Sequence, residues 1–236
     1  MTTLKVNKHE LRTKETRELL LQAAETIFVR DGYEGAELGE IAALAGRTKG
    51  AIYAHFKSKE EIFLALVEDH MLRSKAQMEG FLAESTSVEG NMAALRRFFL
   101  NLVEDEPWAL LYLEFKLFAI RHPESKKRLQ SFYAGLLAGN TEAKYTQLLG
   151  PTGGGKKAIS RTLAVHALSP MLSSLSLEAK FDSALLGEDA IKRVANKIFD
   201  TMLEVPCQCS TDRPAGRSAT ESRHRATNHV EHALSI

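Results

Sequence analysis

Between residues 48 and 59 stand seven side chains whose types suit a polyanion: Thr48, Lys49, Gly50, Ala51, Tyr53, His55 and Lys59. A lysine offers a point charge to a phosphate or to the acceptor edge of a guanine, and an alanine methyl can touch a thymine methyl. Hydroxyl, phenol and imidazole groups donate to backbone oxygens, while glycine and alanine admit close approach. Most such contacts would position a nucleic acid, and few would read it. Bulk charge gives no support, because the formal net charge of the chain is only +1. Local placement has to carry the chemistry.

Side chains like these act only from a rigid frame. Leu20, Ala23, Ala24, Ile27 and Phe28 recur at i, i+3, i+4, i+7 and i+8, one face of a helix. Gly32, just after Asp31, is its expected stop. The spacing predicts a short helix over Leu38–Ala45 ending at Gly46, then another over Lys49–Phe56 with Thr48 as N-cap. Two short helices across a glycine-containing turn make a helix-turn-helix. Ile41, Leu44 and Ala45 are expected to pack on Ile52 and Phe56. The start of the second helix would then turn free N–H groups and a positive dipole end to a phosphate. A longer helix opens near Lys59, with Ile62, Phe63, Leu66 and Val67 on its apolar side.

The run 16–63 resembles the DNA-binding domain of the TetR family, and its AcrR-like branch in particular. The likeness is carried by Thr16-Arg17, Ala23-Ala24, Phe28, Gly32-Tyr33, Ile41-Ala42, Ala45-Gly46, Lys49-Gly50, Tyr53, His55-Phe56 and Lys59-Glu60. It implies a homodimeric, DNA-binding repressor with a three-helix DNA module. It also implies a helical body that binds a small molecule and releases the operator. Arg17 joins the expected DNA contacts on this ground. Two positions depart from the family pattern and are expected at the DNA all the same. Glu37 stands where Ser or Thr usually caps the helix, and Arg47 where a small apolar residue is usual.

Beyond residue 80 the periodicity predicts helices near 89–104, 107–121, 124–149, 156–179 and 188–204, with a kink or break at Pro170. No period-two alternation appears, so the fold class is all-α; the resemblance then implies an N-terminal helix-turn-helix domain and a C-terminal helical ligand-binding and dimerisation domain. The expected organisation is an arm over 1–14, the DNA module over 15–60, the helical body over 61–205 and a disordered tail over 206–236. The helix near 107–121 is apolar almost all round, as central helices are. With the cavity that the resemblance implies, Phe99, Trp108, Tyr112, Phe115, Phe118, His166 and Met171 become the expected walls for an apolar or amphipathic effector. Phe98, Phe132 and Tyr133 are further candidates, and Glu114 would need a partner if buried. The stripe Ile191, Val194, Ala195, Ile198 and Met202 is the expected dimer contact.

Several classes fall away. No apolar run reaches the ~20 residues a membrane span needs, and the N-terminal residues lack a secretory signal pattern. Cys207 and Cys209 lie too close together to staple a fold, which with the other absences points to a cytoplasmic protein. Residues 150–156 mimic a phosphate loop, but Lys157 follows where Ser or Thr would hold magnesium, and no strand precedes. Cys207 and Cys209 with His224, His229 and His232 match no zinc spacing. No catalytic set, metal or cofactor is expected. The rival reading is a helical small-molecule-binding protein or enzyme whose helix-turn-helix binds no DNA.

Overall fold

A computed structural model describes residues 8–152 and 159–204 of the chain. Ten helices and no strand occur among them: α1 (Lys8–Gly35), α2 (Leu38–Leu44), α3 (Lys49–His55), α4 (Lys59–Ala83), α5 (Val88–Glu104), α6 (Glu106–Arg121), α7 (Pro123–Leu137), α8 (Glu142–Leu149), α9 (Arg161–Phe181) and α10 (Glu188–Met202). The fold is all-α, as the periodicity predicts.

Helix α1 breaks where the sequence places its stop. Gly32 has φ 69° and ψ 177°, a backbone state that only glycine adopts without strain, and a single helical turn follows it. Leu20, Ile27 and Phe28 from α1 meet Ile41 and Ala42 from α2, Ile52 and Phe56 from α3, and Ile62 and Phe63 from α4 in one buried cluster. Leu44 differs from expectation. It is 54% exposed, because Ile41 and Ala42 already fill the contact with α3.

Capping sets the starts of the later helices. Ser58 accepts from the backbone N–H of Glu61 at 3.1 Å and opens α4. Asp105 accepts from Trp108 N–H at 3.0 Å, with Pro107 in the first turn of α6, where its missing N–H costs nothing. The single helix predicted over 124–149 is in fact two. Ala138 and Gly139 form a turn, and Thr141 caps the restart at α8. Helix α9 in turn runs through Pro170 without a break.

Helix α4 joins the two halves, packing on α1 at one end and on α5 and α7 along the rest. Arg128 holds Glu68 through two hydrogen bonds of 2.9 and 3.0 Å, and Ser125 donates to Glu60, which fixes α7 to α4. Helices α5, α9 and α10 pack on one another around Leu95, Leu168, Leu172, Ala195 and Phe199. Arg96 of α5 bonds Asn196 at 2.9 Å and Asp200 at 2.5 Å while lying over the Phe199 ring. No described helix is long and apolar enough to cross a membrane.

Candidate nucleic-acid interface and ligand cavity

The packing of α3 decides which of its residues remain outside. Ile52 and Phe56, four apart, are buried, so Lys49, Gly50, Tyr53 and Ala54 lie on the exposed side. Tyr53 is 53% exposed, an unusual place for a large ring without a partner. Ala51 and His55 are half-buried at the edges. Thr48 occupies the N-cap position in extended backbone, yet its hydroxyl makes no capping bond. Arg47 is exposed, and among the described residues its guanidinium donates only to the neighbouring carbonyl of Gly46, at 3.2 Å. Glu37, at the N-cap of α2, is exposed and caps nothing.

Two predicted contacts are drawn into the scaffold. Lys59 donates to the carbonyls of Glu34 and Ala36 at 2.9 and 3.2 Å and sits 4.9 Å from the Tyr33 ring centre, so it ties the end of α1 to the start of α4. Arg17 lies half-buried over Phe56, 5.5 Å from the ring centre. Nearby, Arg30 binds Asp31 at 2.7 Å and Glu40 at 2.6 Å, which offsets half of the negative charge of these two surface carboxylates.

A cavity of about 540 Å³ opens between α4, α5, α6, α7, α8 and α9. Phe99, Trp108, Tyr112 and His166 line it, together with Phe98 and Tyr133. Three expected wall residues lie elsewhere. Phe115 is buried behind the lining, its ring centre 6.2 Å from that of Tyr112. Phe118 packs on Tyr33 at 4.4 Å and Phe63 at 5.5 Å, between the module and the body. Met171 is exposed on α9. Glu114 does find its partner in the protein, because its Oε1 accepts from Tyr33 N–H at 2.8 Å.

Sequence reasoning missed Lys75, Lys116, His70 and Tyr145 in the lining. Lys116 carried a signal, as a lone lysine in a helix otherwise nearly apolar and four residues past Tyr112. His70 carried none, since its burial depends on Trp108 stacking flat upon it, with ring centres 3.5 Å apart at 7°. The α10 stripe also divides. Ile191, Ala195 and Phe199 are buried in the chain's own core, Ile198 and Met202 are half-buried, and Val194 is exposed. Residues 153–158 of the glycine-rich loop, and Cys207, Cys209, His224, His229 and His232, lie outside the described residues. Among those described, no cluster of three metal-binding side chains occurs.

Residues 20–66 match the family described as bacterial regulatory proteins, tetR family. The HTH-type transcriptional repressor AcnR of Corynebacterium efficiens is 32% identical over 99 residues, 42% of this chain and 48% of the relative. The regulator AcrR of Shigella flexneri is 46% identical over 55 residues, 23% of this chain and 26% of the relative. These sequence matches thus span less than half the length of the relatives. In structure, a TetR-family regulator from Mesorhizobium loti aligns with a TM-score of 0.62 at 26% identity, covering 82% of this chain and 98% of its own. Residues 20–66 are thus similar to the tetR-family DNA-binding module, and the described helices share the fold of a TetR-family regulator.

Proposed function

We propose that this chain is a sequence-specific DNA-binding transcriptional regulator. It acts as a homodimeric repressor and leaves its operator when a small apolar or amphipathic molecule fills the cavity. The observation that carries this reading is the division of α3: Ile52 and Phe56 are spent on packing, while Lys49, Gly50 and Tyr53 face outward. Thr48 and Arg47, exposed beside them, extend the same surface. AcnR is named a transcriptional repressor, which favours repression here. The exposed apolar side chains of α9 and α10, Leu163, Met171 and Val194, supply a face for a second copy.

Fluorescence anisotropy with upstream intergenic DNA tests it. Binding should be specific and fall steeply with salt, as counterions are released. Lys49→Ala and Tyr53→Ala should each weaken it by about 1–3 kcal/mol without changing thermal stability. Wild-type affinity in both variants would remove α3 from the DNA and leave the non-DNA-binding reading in its place.

A further inference from the structure

The lining of the cavity has a charge character that no part of the function above requires. It contains Lys75, Lys116, His70, His166 and three tyrosines, and no aspartate or glutamate. Lys75 has acceptors, the Leu136 carbonyl at 3.0 Å and Glu79 at 4.0 Å. Lys116 has none. Its ammonium lies 4.9 Å from the ring centre of Tyr112 and 5.6 Å from that of Tyr133, both in the lining, and forms no hydrogen bond or ion pair among the described residues. Ring faces replace only part of the hydration an ammonium gives up. Burial accordingly pulls its pKa down, as for a charge stripped of water without a counter-ion.

A second unmet group lies along the same wall. Trp108, Tyr112 and Lys116 follow at four-residue steps and share one face of α6. From Trp108 to Lys116 is eight residues, ~12 Å along a helix axis. At the Trp108 end His70 is 8% exposed, and its Nε2 has no hydrogen-bond partner among the described residues. Buried polar atoms in finished structures are nearly always met.

We propose that the effector is an organic anion, with a carboxylate seated on Lys116, an apolar body along Trp108 and Tyr112, and a hydrogen-bonding group at the far end meeting His70. This rests on the reading of the cavity as the effector site. An uncharged apolar guest would bury the ammonium further with nothing in exchange. A cationic guest would meet two lysines and no carboxylate.

The test uses the full chain without DNA, and probes that share one tail: decanoate, 1-decanol and decyltrimethylammonium. The chain has one tryptophan, so its emission reports on Trp108 directly, and calorimetry provides a second readout. Decanoate should bind about ten-fold or more tighter than 1-decanol, the size of one charge-assisted hydrogen bond, with the ammonium probe weakest. Lys116→Met should abolish that preference, weakening decanoate and strengthening 1-decanol, while Lys116→Arg keeps it. In the wild type 10-hydroxydecanoate should exceed decanoate by a few-fold, and His70→Phe should erase this gain by calorimetry. No binding by any probe, equal binding by the three, or an anion preference that survives Lys116→Met overturns the proposal. A hydroxyl gain that survives His70→Phe overturns the far-end assignment. Operator binding does not enter these titrations. A chain that binds its operator but prefers 1-decanol keeps the regulatory reading and loses the anion. One that prefers decanoate but binds no DNA does the reverse.

Discussion

Two of the cations in the helical body, Arg161 and Lys116, sit in regions built on opposite terms. Arg161 is 4% exposed at the junction of α8, α9 and α10. It donates to the carbonyls of Leu203 at 2.5 Å, Pro151 at 2.9 Å and Gly150 at 3.2 Å. Gly150 and Leu203 are the C-caps of α8 and α10, so the guanidinium sits where two helix ends leave carbonyls without partners and the dipoles favour positive charge. Lys116, half-buried on the cavity wall, meets only aromatic faces. A cation that belongs to the fold is given its acceptors by the chain. One that faces an open volume of about 540 Å³ is given only walls.

The largest effect should come from the first region. Arg161→Met leaves three carbonyls in a dry junction and should cost about 3–5 kcal/mol, read by urea unfolding. Lys116→Met removes a poorly solvated charge that completes nothing, so its stability should change by less than ~1 kcal/mol. Equal losses in the two variants would erase the distinction and make Lys116 part of the scaffold.

Next in size is a dependence on acid from the cavity side. Burial, and secondarily the charge of Arg73, pull the pKa of His70 down to about 3. The unfolded imidazole titrates near 6.5. Below that pH the unfolded chain takes up a proton that the folded chain refuses. The contribution is therefore complete above about 6.5 and is lost as the pH falls toward 3, with a slope approaching ~1.4 kcal/mol per unit. Chemical denaturation between pH 7 and pH 4.5 should show it, and His70→Phe should flatten the curve. A slope unchanged in that variant would assign the acid sensitivity to other groups.

Glu114 explains why Lys116 stays unpaired although a carboxylate lies two residues away. Positions i and i+2 point to different sides of a helix. Glu114 is turned to the Tyr33 N–H, where α1 breaks at Gly32. A Cβ at Gly32 would stand 3.2 Å from Glu114 Oε1, so the contact uses the glycine's small size as well as its positive φ. Glu114→Ala should cost about 1–3 kcal/mol by leaving that donor unmet, while Glu114→Gln, which keeps an acceptor, should cost less. Thermal melts of the two variants decide it. Equal losses would mean the contact is electrostatic, and Lys116 would then count as its distant partner.

How far the sequence disclosed these features follows from the range of the forces behind them. The helix-turn-helix could be read because its buried face and its turn are local: Ile52 and Phe56 are four apart, and Gly46 lies at the turn with positive φ. The break between α7 and α8 was missed because Gly139-Asn140 interrupts an apolar rhythm that continues on both sides. The cavity was half disclosed. Trp108 and Tyr112 announced themselves by spacing along α6, but Phe118 shares that helix and turns to Tyr33 and Phe63. Which face meets open space depends on helices far away in the chain, and no local period records it. The same holds for α10, where Ile191 and Ala195 share the stripe with Val194 yet are claimed by α5 and α9.

The contrast between committed and uncommitted polar groups repeats at smaller scale in the DNA module. Ser58 and Thr48 both occupy N-cap positions, before α4 and α3. The Ser58 hydroxyl accepts from Glu61 N–H at 3.1 Å, and the Thr48 hydroxyl accepts from no backbone N–H of its helix. Ser58→Ala should therefore lower stability by about 1 kcal/mol. Thr48→Ala should stay within ~0.5 kcal/mol of the wild type and yet weaken operator binding, because its hydroxyl is left for a phosphate. Paired melting and anisotropy measurements separate the two. If Thr48→Ala lost stability but no DNA affinity, the residue would be an ordinary cap, and the exposed surface of α3 would begin at Lys49.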